Sequence, residues 1–262
     1  MGRSDRKPCN ILHRLNKTMP NPLTVLRKNL AIGWHLRAHG GEFMHRGLRL
    51  QIPQSVKRDV RHMIVSEDYE NEEFELISKW LPKDLPVIEF GGCLGVVSAH
   101  LRRSILPEAQ LIVVEANPHI VDVCAANARR PAPDSPTDVI CGAIAYGVEE
   151  VSFQLRRNLH VSRIASEGEG NFVAPAYTLG KITERLPPET PFALVCDIEG
   201  GEYEMMAVDK AALRRCHTDI VETHAQNFDD PDAKTQALLA DAKSVGLSQV
   251  DQIGDVIVLR RE

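Results

Sequence analysis

The feature that most constrains this 262-residue chain is a short apolar run that ends in an acid and passes straight into glycines: Val87-Ile88-Glu89-Phe90-Gly91-Gly92-Cys93-Leu94-Gly95. A helical stretch follows from about Val96. A strand that turns through glycines into a helix is the unit of an α/β sheet. Glycine there lets the backbone come close to a ligand, and in open α/β sheets this turn lies at the carboxyl edge, where ligands bind. The rhythm then repeats. Strands are predicted at Leu111–Val114, Val139–Cys141, Phe192–Cys196, Ile220-Val221 and Val256–Leu259, with helices near 95–104, 117–129, 201–215 and 232–245. Runs apolar on both faces suit a mostly parallel sheet with helices on each side. Residues 142–191 break the rhythm, with strands expected at 151–155 and 172–178, and read as the place for substrate-binding insertions.

The glycine pattern narrows the ligand. A dinucleotide fingerprint starting at Gly91 needs glycine at 93 and 96, where the chain has Cys93 and Val96. No Gly-Lys-Ser/Thr follows either, so a phosphate-cradling loop is excluded. An acid followed by Gly91, Gly92, Cys93 and Gly95 suits S-adenosylmethionine, which has no pyrophosphate to cradle. Glu89 is then expected near the amino-acid end of the cofactor. Glu115 ends the next strand, 20 residues beyond Gly95, where an acid is placed to bind both ribose hydroxyls. With Ala116 and Asn117 it completes the expected cofactor set, although it can equally cap the helix that opens at Asn117-Pro118. Gly142 and Ala143, small residues after the third strand, leave room for the adenine ring or simply form a turn.

The acceptor side is acidic. Asp197-Ile198-Glu199-Gly200-Gly201-Glu202 ends the fourth core strand, and Glu222-Thr223-His224 ends the fifth at the same edge. Methyl transfer to a hydroxyl needs the acceptor oriented and its proton removed. Carboxylates or a histidine do both, and carboxylates favour the sulfonium cation. Asp197, Glu199, Glu222 and His224 are therefore the candidate catalytic residues, with His224 the best general base by residue type. Glu202 and Glu204 also read as first-turn acids favoured by the helix dipole. No metal site is expected.

At these residues the sequence resembles the FkbM-type methyltransferases, from about Tyr69 to Glu222. The resemblance rests on Tyr69-Glu70 and Glu73, on Glu89–Gly95, on Glu115-Ala-Asn-Pro and on Tyr177-Thr178-Leu179. It rests further on Asp197-Ile-Glu-Gly-Gly-Glu202 and on Val221-Glu222. It implies a Rossmann-like class I methyltransferase fold over residues 66–262, with residues 1–65 as an N-terminal extension. It also implies O-methylation of a hydroxyl on a sugar, glycolipid or polyketide-like acceptor, with Asp197, Glu199 and Glu222 lining the site. The chain departs from the family at Glu89 and Cys93, where the family has Asp and Asn. Gly180 stands where the acid of Thr-Leu-Asp falls, and Cys196 where a Lys precedes the acidic motif. The last two departures support the alternative of a non-catalytic scaffold.

The net charge of −5 hides an asymmetry: residues 1–50 carry ten Lys/Arg against Asp5 and Glu42, leaving the remainder strongly acidic. The basic arm is expected to pack on the acidic body or a second subunit. No nucleic-acid partner is expected, because no aromatic-rich basic patch accompanies it. Asn21-Pro22 with Leu23, Leu26, Leu30 and Trp34 predicts an amphipathic helix that suits a homodimer contact. The six cysteines form no CxxC pair, which fits reduced thiols in a cytoplasmic protein. No apolar run reaches membrane-span length.

Overall fold

The computed structural model describes residues 33–34, 36–53, 56, 61, 64–65, 70–155, 162–164 and 172–261. Most of the predicted N-terminal helix, including Leu23, Leu26 and Leu30, lies outside the described residues. Trp34 is described, helical and 74% exposed.

Seven strands form the central sheet: β3 (Val87–Phe90), β4 (Leu111–Glu115), β5 (Thr137–Cys141), β10 (Phe192–Cys196), β11 (Cys216–Glu222), β12 (Leu247–Ile253) and β13 (Val256–Arg261). Their order is β12-β13-β11-β10-β3-β4-β5. β5, β4, β3, β10 and β11 run parallel, while β13 is antiparallel to both its neighbours. This is the mostly parallel sheet that the apolar runs predict. β12 is an addition: its exposed residues alternate with half-buried ones, so the segment lacks the continuous apolar run of the inner strands.

Two helical layers cover the sheet. α1 (Asn71–Trp80) and α2 (Val96–Ser104) share one hydrophobic cluster with Val87, Val113, Val195 and Ile220. Ile88, Ile112, Leu194 and Val221, each the neighbour of one of these along its strand, join the cluster on the other face. That alternation is the two-residue period of a strand buried on both sides. The second face is covered by α4 (Leu179–Thr183), α5 (Glu202–Val208), α6 (Lys210–Leu213) and α7 (Pro231–Ser244). α3 (Val121–Arg129) packs on α2 and β5. The helix expected over 201–215 is two pieces, interrupted at Asp209, whose φ of −88° and ψ of 41° leave the helical region.

A hairpin of β1 (Glu42–His45) and β2 (Leu48–Gln51) docks on α2 and α3. Phe43, Leu50 and Ile52 belong to the first core cluster, so the described part of the extension shares the core of the domain. Asn127, fully buried, clamps it: its Nδ2 donates to the Gln51 carbonyl (2.8 Å) and to the Leu94 carbonyl in the glycine loop (2.7 Å). The irregular stretch after β5 forms a small sheet of β6 (Ala143–Ile144), β9 (Phe172–Tyr177), β7 (Glu150–Leu155) and β8 (Ser162–Ile164).

Candidate active site

The carboxyl ends of β3, β4, β10 and β11 meet at one edge of the sheet. Gly91, with φ 92°, follows β3 beside Asp197: a Cβ there would lie 1.9 Å from the Asp197 carbonyl oxygen. Only glycine allows the loop and the end of β10 to approach this closely. Gly95, with φ 74°, caps α2, and a Cβ there would meet the Cys124 carbonyl at 2.5 Å. Gly92 and Cys93 lie between them.

Glu115 holds this loop. Its Oε2 accepts the Cys93 N–H and its Oε1 accepts the Asn117 N–H, both at 2.6 Å. Burial lifts its pKa to about 7 although the two amides favour the charged form. Each oxygen retains a lone pair, so the clamp and a ligand contact are compatible. Ala116 follows, and buried Asn117 accepts the His119 N–H through Oδ1 at 3.0 Å. Beside Gly142 the Tyr177 ring fills the space: a Cβ would lie 2.4 Å from its Cε2. Ala143 is buried in β6 within the core of the small sheet. The small size of this pair serves that packing.

Glu89 is 2% exposed, and its Oε2 has no hydrogen-bond partner. Burial pushes its pKa to about 8, opposed by the Ser98 hydroxyl and reinforced by the charges of Glu115 and Asp197. Glu70, Glu73, Gly91, Cys93 and Asp197 line the same cavity. Its free volume is only ≈ 10 Å³, so a nucleoside-sized ligand must part the groups that close it.

Across the edge stand Asp197, Glu199, Glu222 and His224. Glu199 adopts φ 56°, a left-handed conformation that is strained for a non-glycine residue. His224 Nε2 lies 3.6 Å from Asp197 Oδ1 and 3.8 Å from Glu199 Oε2. The ligand atoms of these three residues all fall within 4.8 Å of one another. Behind the ring, fully buried Glu202 accepts the His224 backbone N–H at 2.8 Å and pairs with Nδ1 at 3.2 Å. Its other oxygen accepts the Gly200 N–H at 2.8 Å. Burial alone would lower the His224 pKa, but the Glu202 bond and the charges of Glu202, Asp197 and Glu199 raise it to about 9. Burial and the surrounding acids hold Asp197 and Glu222 at about 7 despite the attraction of His224.

The structure thus brings all four acceptor-side residues together and sets Glu89 and the glycine loop beside them. Sequence reading left Glu202 undecided between site and helix dipole, and it is the partner that orients His224. Its signal was the spacing of the acidic motif, which returns an acid to the cleft one turn after Glu199. Beside Gly180, Asp209 Oδ2 accepts the Gly180 N–H at 3.0 Å and the Tyr146 hydroxyl at 2.8 Å.

A seven-stranded sheet in this order, with its next-to-last edge position reversed and its ligand cleft at the carboxyl ends, is the Rossmann-like class I methyltransferase fold. No family model and no curated protein matches the chain. Solved structures similar in fold include a fibrillarin pre-rRNA processing protein of Methanococcus jannaschii, 10% identical over 69% of this chain and 67% of that one (TM-score 0.44). The O-methyltransferase TomG of Streptomyces achromogenes, in complex with S-adenosylmethionine, is 13% identical over 72% and 78% (TM-score 0.43). An O-methyltransferase of Bacillus cereus, in complex with S-adenosylhomocysteine, is 11% identical over 95% and 96% (TM-score 0.42). The fold assignment rests on the strand order itself.

Proposed function

We propose that this chain is an S-adenosylmethionine-dependent O-methyltransferase acting on a hydroxyl of a carbohydrate-like, glycolipid or polyketide-like acceptor, as its resemblance to the FkbM type implies. One observation carries the reading: a glycine loop clamped by Glu115 lines one cavity with Asp197, which clusters in turn with Glu199 and His224. The groups fit the cofactor. The unpartnered Glu89 Oε2 suits a cationic ligand, and Glu115 keeps lone pairs for ribose hydroxyls. Bound there, S-adenosylmethionine supplies an electrophilic methyl group on a sulfonium.

The residues divide the remaining work. The acceptor hydroxyl would have to be oriented toward that methyl group and give up its proton, and the residues of the acidic cluster would do both. His224, with a pKa near 9, is an imidazolium at neutral pH and serves as donor and orienter. Asp197, with a pKa near 7 and no hydrogen bond at Oδ1, is the proton acceptor. The field of the surrounding carboxylates favours the sulfonium and disfavours an anionic acceptor.

Calorimetric titration with S-adenosylmethionine and with S-adenosylhomocysteine tests the cofactor. Micromolar binding supports the reading and justifies an acceptor screen with labelled methyl groups. No binding at millimolar ligand overturns it in favour of a scaffold.

A second mechanism is favoured by the His224 distances. At 3.6 and 3.8 Å from two carboxylate oxygens, Nε2 is too far for hydrogen bonds but at the spacing of ligands sharing one ion. Turnover that vanishes with a chelator and returns with a divalent cation selects this version. Turnover indifferent to chelation selects Asp197 acting without metal.

A further inference from the structure

α3 supports two structures that are far apart in the chain, the glycine loop and the β1–β2 hairpin. It backs the loop closely: a Cβ at Gly92 would lie 2.8 Å from the Cys124 sulfur, and one at Gly95 would lie 3.1 Å from the Asn127 Cβ. It holds the hairpin through β2 and, just past its own end, through the Arg130–Glu42 ion pair at 2.9 Å.

Asn127 joins the two. Its carboxamide is fully buried and bonded at every hydrogen. Oδ1 accepts the Gln51 N–H at 2.8 Å, while Nδ2 donates to the Gln51 carbonyl at 2.8 Å and to the Leu94 carbonyl at 2.7 Å. The amide meets both backbone groups of Gln51, as a neighbouring strand would, and gives its remaining N–H to the loop. The hairpin therefore fixes the orientation of the group that holds Leu94. With the hairpin undocked, a buried donor and acceptor would go unmet, and the carboxamide would lose the bonds that aim it at the loop.

We propose that Asn127 is a positioning residue that couples these parts: the glycine loop keeps its ligand-binding shape only while the N-terminal hairpin is docked. The hairpin then belongs to the cofactor machinery, and whatever draws it away lowers cofactor affinity. This rests on the cofactor reading above and goes beyond it by giving the N-terminal hairpin control of that site. Coupling is reciprocal, so a ligand held by the loop also tightens the hairpin.

The test is hydrogen exchange of residues 42–51 in the full chain, with and without S-adenosylhomocysteine, alongside calorimetric affinity. Exchange in the wild-type hairpin should slow about tenfold when the ligand binds. Asn127→Asp is close in size and keeps an acceptor for the Gln51 N–H but loses both donors. It should bind S-adenosylhomocysteine about tenfold more weakly and lose the ligand-dependent slowing. Gln51→Pro removes the N–H on the hairpin side and leaves residue 127 and the loop untouched, and it should weaken the ligand by a similar factor. A residue that merely supports the fold would lower the urea midpoint but change neither the affinity of the folded protein nor the response of the hairpin. The proposal is overturned if wild type binds the ligand with no change in hairpin exchange, or if folded Asn127→Asp binds as tightly as wild type. Wild-type protein that binds no S-adenosyl ligand overturns the cofactor reading, and this coupling with it.

Discussion

Glu202 Oε1 accepts two hydrogen bonds from the same residue, the backbone N–H of His224 at 2.8 Å and its ring Nδ1–H at 3.2 Å. An ionised carboxylate only accepts, so Nδ1 carries the hydrogen and Nε2 faces Asp197 and Glu199. The ring's orientation and its charge thus have one source.

Replacing Glu202 with Gln should remove most of what raises His224. Its pKa should fall from about 9, because burial is then opposed only by the charges of Asp197 and Glu199. A histidine NMR titration reads this directly. The elevated pKa stabilises the fold fully below about 6.5, and that stability is lost as pH rises through 9. The variant should therefore lose roughly 1–3 kcal/mol at neutral pH and show a flatter pH profile in chemical denaturation.

Asp197 titrates near 7, raised by burial, by Glu70 and by its other acidic neighbours against the pull of His224. If its carboxylate accepts the proton, kcat/KM rises with pH through about 7. Asp197→Asn should lower kcat by roughly 10²–10⁴-fold and abolish that limb. A limb near 9 instead would assign the proton to His224.

Glu115 clamps the Cys93 amide while facing the expected ribose. Glu115→Ala should weaken S-adenosylmethionine binding by roughly 1–3 kcal/mol in calorimetry. Unchanged affinity in a folded variant means that the ribose lies elsewhere.

Asp219 is fully buried in the middle of β11, and neither carboxyl oxygen has a hydrogen-bond partner. Burial raises its pKa to about 8. Below about 4 the group is neutral in both states and costs least. Stability is lost as pH rises from there through 8, because only the unfolded chain ionises freely. Asp219→Asn should therefore be nearly neutral in acid and stabilise by roughly 1–3 kcal/mol at pH 8–9, read as urea midpoints at several pH values.

The core strands were legible because each carries a short apolar run, and the glycine loop because its residues are contiguous. Other parts were hidden. The β12 segment alternates in polarity at the sheet edge, and α4 is a five-residue helix capped by Thr178, too short for a periodic signal. The β1–β2 hairpin turns through Arg46 at φ 46° and Gly47 at φ 78°, and only its second strand shows a clear alternation. Gly142 looked like room for a ligand, and the Tyr177 ring that fills the space comes from β9, across the irregular insertion.

By itself the sequence determined the α/β alternation, the position of the glycine loop and the set of acids at the strand ends, since these depend on neighbours along the chain. Only the tertiary structure decided what the acids do. Strand register and helix docking bring Glu73 beside Glu89 and Glu202 behind His224, and burial together with those neighbours sets each group's charge. By residue type His224 reads as the base. In the fold the carboxylates around it make it the cation, because a proton's affinity is set by the groups that converge on it in space.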